Sequence, residues 1–427
     1  MKKKSRIQRL CGQGQRAESQ QRVIPLAGVT VDIESQLMEV VVDAGLQVLH
    51  RMLEDDRDAV CGPRYRHLTR RQASRAGTVP SEVVLGGRKV AIRRPRVRAN
   101  GREVTLPTFA MAAATDPLVR RAVEQMLVGV GTRRYARSLE PLGVGVLTRG
   151  TSKSAVSRRF VAQTGAQLEA WRSMPLDGLD LVALLIDGVH FADHLVVVAL
   201  GIDVNGRKHP LGLWSGSTEN AGVCQALLAN LQERGLSTGR SLLVILDGSK
   251  ALKKAVRDVF GTAAWIQRCQ VHKVRTVLLH LPKVQHARVS AVMRRAYQSG
   301  DIARARRILM QLMRPLETSY PSAAASLEEG LDDTLTVIGL PVIERLQRSL
   351  ATTNAIENVI GHLRYVHHNV KRWRHGRMVL RWAAAGFAEA SKGFRRIKGC
   401  SDLPRLVAAL RQRDQELGLA SAETQAA

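Results

Sequence analysis

Two short segments constrain this chain more than any others: Leu-Val-Ala-Leu-Leu-Ile-Asp-Gly at 181–188 and Ser-Leu-Leu-Val-Ile-Leu-Asp-Gly at 241–248. Each is an apolar run that ends in aspartate followed by glycine. Such runs read as strands buried on both faces, and an acid at the C-terminal end of one must meet solvent, a cation or another charge. Two strands aimed alike bring Asp187 and Asp247 together. Paired carboxylates repel unless divalent metal holds them, and a metal pair needs them for in-line phosphoryl chemistry. A lone strand-end aspartate can simply cap a loop, whereas two at matching Asp-Gly ends favour a metal site. The pattern points to nucleic acid as substrate.

Charge agrees. Lys and Arg number 65 against 37 Asp and Glu, and the formal net charge of +28 favours a polyanionic partner. A membrane is not expected, because no run approaches the ~18 consecutive apolar residues of a spanning helix and the Lys2-Lys3-Lys4 start lacks a signal-like apolar segment. The expected location is the cytoplasm, in association with the nucleoid. Cys11, Cys61, Cys224, Cys269 and Cys400 form no CxxC pair and no disulfide framework, so they are expected to be reduced.

The organisation expected along the chain has six parts. Residues 1–30 read as a flexible basic arm, and 31–175 as a mostly helical DNA-binding region. Residues 176–272 read as a strand-rich α/β part, 273–350 as helical, 351–400 as helical with a basic segment, and 401–427 as a tail. Within the second part, residues 62–98 hold eleven basic side chains, among them Arg64, Arg66, Arg70, Arg93, Arg94, Arg96 and Arg98, and one acid, Glu82. That asymmetry suggests a phosphate-binding surface, the alternative being a solvated basic loop. Around Gly86-Gly87 the residues from Glu82 to Ile92 alternate as a hairpin would. Helices are predicted over Pro117–Val130, Thr132–Leu142 and Ser152–Trp171. The last, capped by Ser152 with Val156, Phe160 and Leu168 on one stripe, turns Lys153, Arg158 and Arg159 elsewhere. It reads either as the recognition helix of a helix-turn-helix or as part of a plain helical bundle.

Strands are expected at His194–Asp203 and Lys208–Gly216 around an Asn205-Gly206 turn, then a helix from Glu219 to Arg234 before the Asp247 strand. Farther on, Asn354 is a plausible N-cap with Glu357 at the third helical position, so Glu357 reads equally as capping-box partner or as site residue. Between 364 and 398 lie ten basic residues, including Arg364, Lys371, Arg372 and Arg374, with one acid, Glu389, and with Trp373 and Trp382 interleaved. Such a face could track a phosphate backbone and stack on bases. His367, His368 and His375 in that segment are expected to contact DNA or solvent. Asp193, Asp203 and Glu219 are the acids most easily mistaken for site residues, and each has an ordinary turn or helix-start explanation.

Four of these motifs together resemble one family. The strand ending at Asp187, the strand ending at Asp247, Cys269-x-x-His272, and Thr352-Thr353-Asn354-Ala355-Ile356-Glu357 are similar to the Mutator-type bacterial insertion-sequence transposases, over most of the chain from Arg64 to Gly399. The resemblance implies a ribonuclease H-like mixed sheet with 273–350 as a helical insertion in the core, and Asp187, Asp247 and Glu357 as catalytic acids holding two Mg2+ ions, with Mn2+ as substitute. It further implies cleavage and strand transfer on double-stranded DNA, at terminal inverted repeats and target, by a homo-oligomer assembled on DNA. Cys269, His272 and Asn354 are family-motif residues without an assigned role. Two zinc ligands without a second pair do not make a structural zinc site. A structure-specific nuclease of the same fold and a catalytically inactive DNA-binding regulator are the alternative functions.

Overall fold

The computed structural model describes residues 23–26, 29–66, 73–114, 117–139, 147–216, 221–368 and 370–419. The chain divides into two compact units, residues 1–126 with 130–160, and residues 127–129 with 161–427.

The first unit is built on antiparallel pairing. Strands β1 (Val23–Leu26) and β2 (Val29–Asp32) pair, and the long helix α1 (Ile33–Cys61) follows. The Gly86-Gly87 turn joins β3 (Ser74–Leu85) to β4 (Arg88–Ala99), with Leu85 opposite Arg88. Both glycines have positive φ, +56° and +77°, as the two-residue turn that matches strand twist requires. The hairpin therefore extends well beyond the alternating core seen in sequence. β5 (Arg102–Val104) adds to β4, and helices α2 (Pro107–Ala114) and α3 (Pro117–Leu127) come next. A short strand β6 (Thr148–Arg149) pairs with the start of β4, and α4 (Lys153–Arg172) follows it. Leu53 and Cys61 of α1 pack against Val97 and Leu106 to form the main core.

Over 132–139, the described part of the helix expected at Thr132–Leu142, no α-helix forms. Among the described residues there is only a 3-10 turn at Tyr135–Ser138. Gly129, at φ +99°, breaks the chain before it, and the buried Tyr135 turns inward to donate its hydroxyl to Gly87 O at 3.0 Å. Residues 140–146 lie outside the described part. Ser152 does cap α4, accepting from Ala155 N at 3.3 Å. The apolar stripe of this helix divides between two cores: Val156 packs with Ala122, Tyr135 and Leu139 in the first unit, and Leu168 in the main core of the second.

The second unit is a layered α/β structure. Strands β7 (Leu181–Phe191), β8 (His194–Asp203) and β9 (Lys208–Gly216) form an antiparallel meander. Helix α5 (Ala221–Glu233) then leads to β10 (Leu242–Leu246), and α6 (Lys250–Phe260) to β11 (Ala264–Arg268). β10 and β11 join parallel to β7, so the sheet order is β11-β10-β7-β8-β9. Alternation explains why almost every strand residue is buried. Leu184, Ile186, Val244 and Leu246 face α5 and α6, whereas Ala183, Leu185, Leu243 and Ile245 face the opposite layer.

That opposite layer comes from the end of the chain. Helices α7 (Gln270–Leu279), α8 (Lys283–Tyr297), α9 (Ile302–Ser319) and α10 (Pro321–Glu328) form a bundle with its own core around Val289, Met293, Leu309 and Leu327. After α11 (Glu344–Leu350), helices α12 (Asn354–His367), α13 (Gly376–Ser391) and α14 (Leu403–Glu416) cover the sheet with Ile356, Ile360, Val379, Phe387 and Leu406. α14 also clasps β10 directly, because Asp414 Oδ1 accepts from Ser241 N at 2.5 Å.

Candidate active site

Register places the two aspartates side by side. Leu246 pairs with Ile186 in the parallel ladder, so Asp247 and Asp187 are the next residues on neighbouring strands. Continuing the alternation, both belong to the face carrying Leu185 and Ile245, which is the face that α12 covers. Each aspartate is held by one oxygen: Asp187 Oδ1 accepts from Gly188 N at 2.8 Å, and Asp247 Oδ1 from Ser249 N at 2.9 Å. Among the described residues the Oδ2 atoms accept no hydrogen bond. Gly248 makes the turn after Asp247 at φ +117°, and a Cβ there would meet Arg268 Cζ at 2.9 Å, so glycine is required for both torsion and space.

The third acid stands in the first turn of α12. Here the residue preceding the helix is Thr353, not Asn354; Asn354 is exposed and is the first helical residue. Glu357 accepts no backbone N–H of its own turn among the described residues, as a capping-box glutamate would. Instead Glu357 Oε1 accepts from Thr353 Oγ1 at 2.8 Å and lies 3.7 Å from His272 Nε2, leaving Oε2 without a hydrogen bond. Thr353 Oγ1 is in turn 3.3 Å from His272 Nδ1 and 3.4 Å from Cys269 Sγ. Cys269, fully buried, precedes α7 and its sulfur accepts from the backbone N of both His272 (3.5 Å) and Thr353 (3.4 Å). Its own amide donates to Leu246 O at 2.7 Å, which ties the motif to the end of the Asp247 strand.

Electrostatics show how crowded the acids are. Burial, then the neighbouring Asp247 carboxylate and to a lesser degree Glu357, push the Asp187 carboxyl up to about 7, against the pull of His272 and the Gly188 N–H. The hydrogen bond to Cys269 raises the His272 imidazole above its ordinary value. Burial pushes the Cys269 thiol up, yet hydrogen bonds from His272 and Thr353 outweigh it and leave the thiol below its usual range. The donor chemistry of three carboxylates with unengaged oxygens fits a hard divalent cation such as Mg2+. Cys269, His272 and Glu357 also offer ligand atoms within 4.8 Å of one another, but this softer trio lacks the fourth ligand of a structural zinc site among the described residues.

Other acids near the strands are otherwise engaged. Asp203 accepts from Asn205 N, Arg207 N and His209 Nε2 at 2.8–2.9 Å, which builds the turn before β9. Asp193 is exposed in the β7–β8 turn, and Glu219 lies outside the described residues.

The basic residues divide by whether they are occupied. In the first unit Arg64, Arg66 and Arg98 are exposed, Arg93 is exposed but donates to Thr78 Oγ1 at 3.1 and 3.2 Å, and Arg70 lies outside the described residues. Arg94 and Arg96 are both held by Glu103, at 2.7 and 2.8 Å, an acid just past the basic run. Lys153 and Arg158 are exposed, while the Arg159 guanidinium binds Gly150 O. In the second unit Arg364, Lys371, Arg372 and Arg374 are exposed. The tryptophans are not free platforms. Trp382 is buried in the core, and Trp373 packs against His367 and Phe191 with ring centroids 5.2 and 5.9 Å away. His367 is itself buried, which lowers its imidazole to about 4, so it meets neither DNA nor solvent. His375 Nδ1 accepts from Met378 N and caps α13.

Two aspartates at parallel strand ends, with Glu357 in the first turn of the helix over the same face, form the candidate active site of an α/β protein. Comparison with known proteins gives the family. The family model described as Transposase, Mutator family, matches residues 19–395, and the chain belongs to that family. It is 31% identical to the transposase for insertion sequence element IS6120 of Mycolicibacterium smegmatis over 245 residues, 56% of this chain and 73% of that one. It is 29% identical to the IS406 transposase of Burkholderia multivorans over 72% of this chain and 79% of the relative. With the IS256 transposase of transposon Tn4001 from Staphylococcus aureus it shares 26% over 73% and 80%. No helix among the described residues is long and apolar enough to cross a membrane.

Proposed function

We propose that this protein binds the terminal inverted repeats of its insertion sequence and catalyses metal-dependent cleavage and strand transfer, with Asp187, Asp247 and Glu357 as the metal-holding acids of a ribonuclease H-like core. The observation that carries the reading is the β7–β10 register, which sets Asp187 and Asp247 next to each other on the face covered by α12, whose first turn carries Glu357. The sheet order, with an antiparallel meander extended by two parallel strands, supports the ribonuclease H-like assignment.

Bound by these carboxylates, Mg2+ or Mn2+ would supply activation of a water or DNA 3′-hydroxyl and stabilisation of the leaving oxygen. The chain's own contribution is preorganisation. Gly188 N and Ser249 N orient the aspartates, Thr353 orients Glu357, and the buried floor excludes water from one side of the site. Exposed Arg93, Arg98, Lys153, Arg158, Arg364, Lys371, Arg372 and Arg374 are the residues assigned to phosphate contacts. A homo-oligomer on DNA follows from the need to hold two ends for joining.

The test is incubation of the full chain with labelled element ends and a target plasmid in Mg2+, beside Asp187→Asn, Asp247→Asn and Glu357→Gln. Joined products from the wild type, reduced at least about 10³-fold in each variant, are expected. Cleavage without joining would favour a nuclease, and end binding without either reaction, under every metal tried, would favour a regulator.

A further inference from the structure

We propose that Cys269-x-x-His272 is a positioning device for the Glu357 carboxylate, acting through the Thr353 hydroxyl.

A hydroxyl has one proton to give and two lone pairs to receive with. Around Thr353 Oγ1 the structure sets Glu357 Oε1 at 2.8 Å, His272 Nδ1 at 3.3 Å and Cys269 Sγ at 3.4 Å. The carboxylate is the shortest contact and the strongest acceptor, so the proton goes to Glu357. Thr353 Oγ1 then receives from His272 Nδ1–H, and His272 Nε2 lies 3.7 Å from Glu357 Oε1 on the same side. Cys269 holds Thr353 in place: its sulfur accepts the Thr353 amide at 3.4 Å and the His272 amide at 3.5 Å. One side chain therefore caps the starts of both α7 and α12 and sets their separation. The longer reach of sulfur suits it to two donors on two different helices.

The arrangement has a use only if Glu357 needs a fixed direction. Thr353 is fully buried, whereas the Glu357 side chain is 29% exposed and can otherwise swing into solvent. Holding Oε1 leaves Oε2 as the oxygen without a donor among the described residues. The inference rests on the reading of Glu357 as a metal ligand, and groups that orient a ligand in this way commonly contribute 10- to 100-fold in metal affinity, an order-of-magnitude figure.

The experiment is Mn2+ binding to the full chain without DNA, followed by the electron paramagnetic resonance of free Mn2+, with circular dichroism as a check on folding. Thr353→Val is expected to weaken the Asp187-dependent Mn2+ binding about tenfold, and Thr353→Ser to stay within about twofold of wild type. Combined with Glu357→Gln, Thr353→Val is expected to cause no further loss, because the hydroxyl then has no ligand to orient. Should Thr353→Val fail to fold, Cys269→Ser tests the same device, and a several-fold weakening is expected. Wild-type affinity in folded Thr353→Val or in Cys269→Ser, or an additive loss in the double variant, overturns the proposal and leaves the triad standing. Absence of any Asp187-dependent Mn2+ binding in the wild type sinks the triad reading, and this inference with it.

Discussion

Asp187 is 6% exposed, and its carboxyl is raised to about 7 from an ordinary 3.8 by burial and by the acids beside it. The unfolded chain gives up this proton near pH 4 while the native state keeps it to about 7, so stability falls as pH rises through that window. Above it the loss reaches about 4 kcal/mol at most. Asparagine does not titrate. Asp187→Asn is therefore expected to be more stable than wild type by a few kcal/mol in urea unfolding at pH 8 with chelator, the gap narrowing toward pH 5. A variant no more stable at pH 8 would refute the crowding. The aspartates themselves were legible in sequence because an apolar strand that ends in an acid has few explanations. The Thr353 hydroxyl was not, since besides Glu357 four positions on, its other two partners lie 81 and 84 positions away and no local pattern connects them. Sequence placed the helix cap at Asn354 because asparagine is the better capping residue, yet Thr353 holds that position with its hydroxyl directed to Glu357 instead.

At the scale of elements, α12, which carries Glu357, packs closely against α13. A Cβ on Gly386 would lie 2.9 Å from Leu363 Cδ2, so this helix pair meets across a glycine. Gly386→Val is expected to cost about 2 kcal/mol in unfolding free energy. It should also depress strand transfer more than end binding, because α12 carries Glu357. Equal losses of both would point to global damage. The buried face of α13 could be read from Val379, Trp382 and Phe387 at helical spacing, but the surrounding arginines drew attention to Trp382 as a base-stacking residue. Charge run and core stripe share the same helix, and only packing separates them. The sheet edge was equally hidden: Gln267 Oε1 accepts from Val337 N at 2.8 Å and Thr336 Oγ1 donates to Ile266 O at 2.7 Å, so loop residues close the free side of β11.

The net charge of +28 belongs to the whole molecule, but its cations are unequal. Arg98 is exposed, while Arg94 and Arg96 are bound to Glu103. Arg98→Ala is expected to weaken DNA binding at all sequences alike and to reduce the slope of log affinity against log salt by about one. Arg94→Ala should change that slope less, and fluorescence anisotropy across a salt series distinguishes the two. If Arg94 moves the slope as much as Arg98, the Glu103 pairing is released on DNA.

The chain order of the site also matters. Asp187 and Asp247 lie on adjacent strands, but Glu357 follows a separately cored bundle, and the helix that clasps β10 ends only at Glu416. During synthesis the two aspartates therefore emerge long before the third acid and the layer that seats it. A ribosome that stalls before α12, or a message cut short there, releases a chain holding two of the three proposed acids and lacking the helix layer over them. For a protein whose proposed substrate is DNA, the third proposed acid and the layer that seats it arrive only after the separately cored bundle has been made.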